Sequence, residues 1–198
     1  MIVIVSGFAG SGKSTLAERL AKKQGLKCVH ASGLLRQLQE RTASELKADE
    51  AKANTGWWES REGKAYLERR LKDSSMDQAL DAELLRIAKA GDVVLDSWTM
   101  PWLFKGNAFK VWLKTSLDVR AKRVAGRDKL DEKEVQAKLA ERDEKTATIY
   151  RKIYGFELGK DLKPFSLVLD TDKLNEKQVF EACVDALEKW LKTQRFVC

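Results

Sequence analysis

The chain is poor in several residue types, and each shortage excludes something. Its 198 residues include three cysteines, two prolines and one histidine. Cys28, Cys183 and Cys198 are too few and too scattered for a disulfide framework or a zinc site, which fits a reducing, cytoplasmic setting. No apolar run approaches the roughly 20 residues needed to cross a bilayer, so no membrane span is expected. The opening Met1-Ile2-Val3-Ile4-Val5 lacks a basic stretch and soon meets a Gly/Ser loop, unlike a signal peptide. There is no internal repeat, low-complexity tract or Pro- or Gly-rich linker, so residues 1–198 are expected to form one domain. Asn and Gln are sparse beside the many Lys and Glu residues, a hint of a thermophilic source.

Enough apolar material is present, 43%, to build a core and to rule out disorder. The net charge of +7 points to anionic partners: nucleotides, nucleic acid or an anionic surface. A solvated Lys/Glu-rich exterior explains the same number until the charge is located.

The pattern along the chain alternates strand and helix. Ile2–Val5 is a β-branched run without alternation, the mark of a strand buried on both faces. Leu16, Ala17, Leu20 and Ala21 lie at helical spacing within 13–24, with Gly25 as a C-cap. A second strand is predicted at 27–30. Ser32 is expected to cap a helix from 33 to about 40. Residues 41–75 are polar, apart from a Trp pair, and suggest no element. Helices are predicted over 76–90, 117–125 and 176–191, a long charged helix or helix pair over 131–154, and strands at 93–96, 109–114 and 167–170. Pro101 and Pro164 are read as loop residues. Five strands separated by helices imply an α/β fold with a parallel sheet covered on both faces, in which ligands bind at the strands' carboxyl ends.

The strongest signal is Gly7-Phe8-Ala9-Gly10-Ser11-Gly12-Lys13-Ser14, which matches G-x-x-x-x-G-K-[ST]. Glycines let successive backbone N–H groups turn inward around phosphate oxygens. The helix that begins there, through Ser14 and Thr15, points its positive end at the same anion. Lys13 is expected to reach the β- and γ-phosphates and the Ser14 hydroxyl to ligate Mg²⁺. Asp96, closing the run Val93-Val94-Leu95, sits where a carboxylate holds that metal through water.

The charge is concentrated. Between residues 120 and 152, eleven Lys and Arg stand against seven acids, an excess of +4 out of the chain's +7. Arg123 and Arg127, four apart, share a helix face. Arg123, Arg127 and Arg142 are candidates to close over a phosphoryl group in transfer, and the lysines read as a solvated face.

These residues resemble nucleoside monophosphate kinases, and among them the archaeal-type cytidylate kinase family. The resemblance covers 1–39 and about 76–190. It rests on the phosphate loop, Ser32-Gly33-Leu34-Leu35-Arg36, Val93-Val94-Leu95-Asp96, Val111-Trp112-Leu113-Lys114 leading to Val119-Arg120-Ala121-Lys122-Arg123, Glu141-Arg142-Asp143 and Tyr150-Arg151-Lys152-Ile153-Tyr154-Gly155. It implies a three-layer P-loop kinase fold, with an acceptor-binding arm at about 33–75 and a helical lid at about 123–155. It also implies transfer of the ATP γ-phosphate to a nucleoside monophosphate, most naturally CMP or dCMP, with Mg²⁺. By position, Gly7, Gly10, Ser11, Gly12, Lys13, Ser14, Thr15 and Arg123 would bind ATP. Ser14 and Asp96 would hold the metal. Arg36 would grip the acceptor phosphate, Arg127 would lie near the phosphates, and Arg142 and Arg151 would close from the lid. Asp81 aligns with an acceptor-side acid. The implied enzyme is cytoplasmic, a monomer or homodimer, with nucleotides as partners and no stable hold on nucleic acid.

Two departures stand out. Family members carry an arginine shortly after the strand acid, where this chain has Ser97-Trp98-Thr99, and an arginine after the acid aligned with Asp81, where it has Ala82. The arm is also long, with Trp57, Trp58, Arg61, Arg69 and Arg70 in it. Either one of those arginines substitutes, or the acceptor is another metabolite or an RNA hydroxyl. In the second case His30 or Asp96 would be the candidate base. Trp57, Trp58, Trp98 and Trp102 fall on the acceptor side, where an indole stacks on a base or simply fills the core. Trp112 and Trp190 read as core. The least favoured alternative is a nucleotide-gated RNA-binding protein.

Overall fold

A computed structural model of the protein describes residues 1–38 and 61–194. Trp57 and Trp58 therefore lie outside the described residues. Five strands, β1 (Ile2–Gly7), β2 (Lys27–His30), β3 (Val93–Asp96), β4 (Phe109–Lys114) and β5 (Leu167–Asp170), form one sheet in the order β2-β3-β1-β4-β5. All four pairings are parallel. β3 is buried throughout and β1 from Val3 onward, which is why Ile2–Val5 and Val93–Leu95 are unbroken apolar runs rather than alternating ones.

The described helices are α1 (Lys13–Gln24), α2 (Ala31–Leu38), α3 (Arg61–Lys72), α4 (Ser75–Ala90), α5 (Met100–Leu103), α6 (Leu117–Asp128), α7 (Glu132–Tyr154) and α8 (Glu176–Gln194). α1 and α8 cover one face, packing Leu16, Leu20, Val179 and Leu187 against Val3, Val5 and Val111. α4 and α5 cover the other, packing Leu84, Ala88 and Met100 against Ile4, Val93 and Leu95. A third cluster, rich in aromatic rings, joins α3, α5 and α7 to β4 through Leu67, Trp102, Trp112, Ile149 and Phe156.

Four sequence expectations are corrected. α2 begins at Ala31, straight from β2, so Ser32 is inside the helix rather than its cap. Pro101 is in the first turn of α5, where its missing N–H costs nothing, and it is buried. The polar segment 41–75 contains α3, which buries Leu67 and Arg70. α6 runs three residues past the expected end, to Asp128, and stops at Lys129 in the left-handed region (φ 55°).

Candidate active site

The site is assembled at the carboxyl ends of β1, β2 and β3. β1 leads into the phosphate loop, and the loop delivers Lys13 as the first residue of α1. Gly7 has φ +148°, and a Cβ there would lie 2.7 Å from the Leu113 carbonyl oxygen and 2.8 Å from Ser11 Oγ. At Gly10 (φ +80°) a Cβ would come within 3.1 Å of the Arg120 carbonyl oxygen. Both glycines are thus demanded by the close approach of β4 and α6 to the loop.

Strand register aligns the acidic group. β3 pairs with β2 so that Asp96 lies opposite His30, and with β1 so that it lies opposite Val5. Ser14 Oγ donates to Asp96 Oδ2 at 2.6 Å, and His30 Nδ1 is 3.1 Å from the same oxygen. Burial alone would raise the Asp96 carboxyl, but the hydrogen bond from His30, the Lys13 charge and the Ser14 bond hold it below the usual range. His30 is pushed up to about 10, chiefly by its hydrogen bonds to Asp96 and Cys28. Its other ring nitrogen lies 3.3 Å from Glu18 Oε1. His30 is thus a hydrogen-bonded charge partner of Asp96.

Lys13 Nζ donates to the Phe8 carbonyl at 3.0 Å, and burial brings its amine down to about 8, with Asp96 pulling the other way. Two cavities flank it. The inner one, of ≈ 210 Å³, runs from the loop to α4 and α7, and its polar lining includes Lys13, Asp96, Asp81, Asp77, Arg70 and Arg142. The outer one, of ≈ 560 Å³, lies over the loop and the start of α1 and reaches Arg123, Arg127 and Asn175.

A profile of the cytidylate kinase-like family matches residues 2–173. The chain belongs to the cytidylate kinase-like family. It is a kinase, and its relatives match nearly end to end. It is 30% identical to the cytidylate kinase of Pyrococcus horikoshii over 95% of this chain and 90% of that one. With the cytidylate kinase of Methanopyrus kandleri the identity is 31%, covering 98% and 96%. The fold is shared with a shikimate kinase from Bacteroides thetaiotaomicron (TM-score 0.57, 16% identity, 97% and 98% coverage). It is shared too with a gluconokinase from Sinorhizobium meliloti (TM-score 0.54, 16% identity, 98% and 95% coverage). The three-layer P-loop kinase architecture expected from the sequence is therefore the one this kinase has.

Most of the expected site residues meet at the two cavities. Gly10, Ser11, Gly12, Ser14, Thr15, Arg123 and Arg127 line the outer one. Arg123 donates to the carbonyls of Thr171 (2.8 Å) and Leu174 (3.4 Å), which fixes it beside that opening. Arg127 borders both cavities and forks onto Asp128 at 2.7 and 2.8 Å. Arg142 lies 5.2 Å from the centroid of the Trp98 ring. Asp81 is buried, accepting from Thr99 Oγ1 at 2.5 Å and Tyr154 Oη at 2.6 Å, and burial pushes it up to about 6. Arg36 falls on α2, but its side chain lies outside what is described.

One expectation is not met, and two alternatives left open by the sequence are narrowed. Arg151 is exposed and bonded to Glu157 at 2.6 Å, outside the lining of either cavity. Trp102 is core: it stacks on Phe156 at 4.2 Å and donates its indole N–H to the Asp161 carbonyl. Of the arginines offered as substitutes, Arg69 is exposed and outside the lining of both cavities, whereas Arg70 borders the inner one and forks onto Asp77 at 2.6–3.0 Å.

Residues that sequence reasoning passed over are Arg120, Asp77, Thr99 and Tyr150. Arg120 is 5% exposed, bonds the Ala9 carbonyl of the loop at 3.1 Å and pairs with Asp143 at 2.8 Å, bracing loop, α6 and α7 together. Asp77 and Asp81, four apart on one face of α4, were visible as a pair. The Thr99 and Tyr150 positions carry no local pattern that marks them.

Proposed function

We propose that this kinase moves the γ-phosphoryl group of ATP to a nucleoside monophosphate, CMP or dCMP. The observation that supports it most is the meeting of the phosphate loop with an inner cavity lined by both cations and carboxylates. The phosphates lie on the loop against Lys13, and the adenine lies toward Arg123. Ser14 and Asp96 offer a hydroxyl and an ionised carboxylate 2.6 Å apart, hard oxygen donors of the kind Mg²⁺ accepts while it keeps several waters. When bound there, Mg²⁺ supplies charge neutralisation on the phosphate oxygens.

The acceptor enters the inner cavity. Its phosphate meets Arg36 and Arg70, and its base reaches Asp81 and the arm that carries Trp57. Arg127 and Arg142 flank the transferring group and stabilise the charge on its oxygens. The acceptor phosphate is already an anion, so no side chain has to remove a proton, and catalysis is positioning plus electrostatics. In this reading the arm (about 33–75) and lid (about 123–155) belong to a single domain that acts on free nucleotides in the cytoplasm. Among the described residues no helix is long and apolar enough to cross a membrane.

An ADP-release assay with CMP, dCMP, UMP and AMP tests the proposal. Turnover with CMP or dCMP well above the acceptor-free rate is expected. Failure of all four to exceed that rate sinks it and turns attention to an acceptor without a phosphate.

A further inference from the structure

Trp98, just beyond the β3 carboxylate, is half-buried and borders the inner cavity. Two cations from different parts of the fold lie over its ring. Lys13 Nζ is 5.6 Å from the ring centroid and the Arg142 guanidinium carbon is 5.2 Å from it. Two ring edges meet it as well, Phe8 of the phosphate loop at 6.3 Å and Tyr150 of α7 at 6.5 Å. One side chain therefore touches the loop, the start of α1 and the lid-side helix.

The turn that carries it is fixed. Ser97 is 2% exposed, and its Oγ lies 3.3 Å from the backbone N–H groups of Thr99 and Met100. The Trp98 carbonyl accepts from Ser6 Oγ of β1 at 3.4 Å.

We propose that Trp98 is a positioning residue that seats Lys13 and Arg142 beside each other for the transferring phosphoryl group. This rests on the kinase reading above. A carboxylate in that place would pair with one of the cations and neutralise it, as Asp143 does to Arg120 at 2.8 Å. A third cation would repel both. An indole face attracts a cation through its quadrupole and adds no charge. The Asp96 and Asp143 carboxylates already act on Lys13, and Asp143 on Arg142, so a ring between the two cations holds them in register without adding a further acid to the site. Each attraction is weak enough to be exchanged for a phosphate contact when the nucleotide arrives. The indole acts through the two cations rather than as a stacking surface for the acceptor's base.

Steady-state kinetics of Trp98→Leu and Trp98→Phe, read with tryptophan emission, test this. Trp98→Leu is expected to lower kcat about tenfold while the KM values for ATP and CMP stay within about threefold, because the seat matters only once phosphoryl transfer begins. Trp98→Phe keeps a ring face and is expected to hold kcat within about threefold of the parent. ATP alone should change the emission of the parent protein as the cations leave the ring, and Trp98→Phe should lack that change. The proposal is overturned by a Trp98→Leu kcat within about twofold of the parent, by Trp98→Phe falling as far as Trp98→Leu, or by a loss confined to KM for the acceptor. It is overturned equally if the ATP-induced emission change survives intact in Trp98→Phe. Emission needs no acceptor and no leucine variant. It decides the matter even if the parent phosphorylates no nucleoside monophosphate, the result that would count against the kinase reading itself.

Discussion

Replacing Asp81 by Asn tests the electrostatics of the inner cavity. Asp81 is 5% exposed and accepts hydrogen bonds from Thr99 and Tyr154. Burial lifts its carboxyl from 3.8 to about 6; the two hydroxyl bonds oppose that, and the neighbouring Asp77 adds to it. The folded protein therefore holds this proton more tightly than the unfolded chain. The stability the proton supplies is fully present below about pH 4 and is lost as the pH rises to about 6. A shift of about two units corresponds to about 3 kcal/mol. Asn carries no charge, and it can accept from one hydroxyl and donate to the other. Asp81→Asn should match the parent near pH 4 and exceed it by up to about 3 kcal/mol above pH 6, about 6–12 °C in Tm for a chain of this size. Urea or thermal melts followed by circular dichroism at pH 4, 5, 6 and 7 measure the difference between the two proteins. Taking the difference removes the other titrating groups, such as His30 and Asp96. A difference that stays flat from pH 4 to 6 refutes the reasoning, as does a variant that loses ground to the parent as the pH rises.

Arg120→Ala leaves Asp143 without its 2.8 Å partner in a site where that carboxylate is 13% exposed. A cost of about 3–5 kcal/mol is expected, and a Tm within about 2 °C of the parent would contradict it. Lys13→Ala removes a charge that donates to a loop carbonyl, lies over the Trp98 ring and acts on Asp96, so turnover should fall about 10²–10³-fold while the melt changes little. Parent-like turnover in that variant would refute the placement of the phosphates. Trp102→Ala removes a ring stacked on Phe156 at 4.2 Å, and should cost about 3–5 kcal/mol without changing which acceptor is preferred. A switch of acceptor with little loss of stability would restore Trp102 to the site.

The parts of the fold that could be read from the sequence are those whose signal is local. A parallel strand buried on both faces is an unbroken apolar run, so β1 and β3 were plain. The loop was plain because glycine spacing is itself the structure. α3 was hidden because its described buried face includes an arginine: Arg70 is 6% exposed and bonded to Asp77 on the next helix and to Tyr150, 80 residues on. A buried ion pair looks like surface until its partner is known. Trp98 and Trp102 show the same limit. They are four residues apart and chemically identical, yet one borders the cavity and the other is packed among Trp112, Phe156 and Phe165.

The basic segment shows most clearly what the three-dimensional arrangement adds. Its excess of +4 marked a stretch that borders the two cavities but not which of its residues do so. Arg120, Arg123 and Arg127 lie at intervals of three and four on α6, so they share one side of the helix and differ in what stands opposite each turn. Arg120 faces inward and is neutralised by Asp143. Arg123 is anchored by the carbonyls of Thr171 and Leu174. Arg127 stands at the boundary of the two cavities. On α7, Lys138 pairs with Glu134, Lys145 with Glu68 and Glu141, and Arg151 with Glu157, and none of the three lines either cavity. Arg142 is the cation of α7 that borders the inner cavity, and an uncharged ring lies 5.2 Å from it. Net charge thus pointed to α6 and α7, but which charges border the cavities depends on where the acids and the Trp98 indole lie.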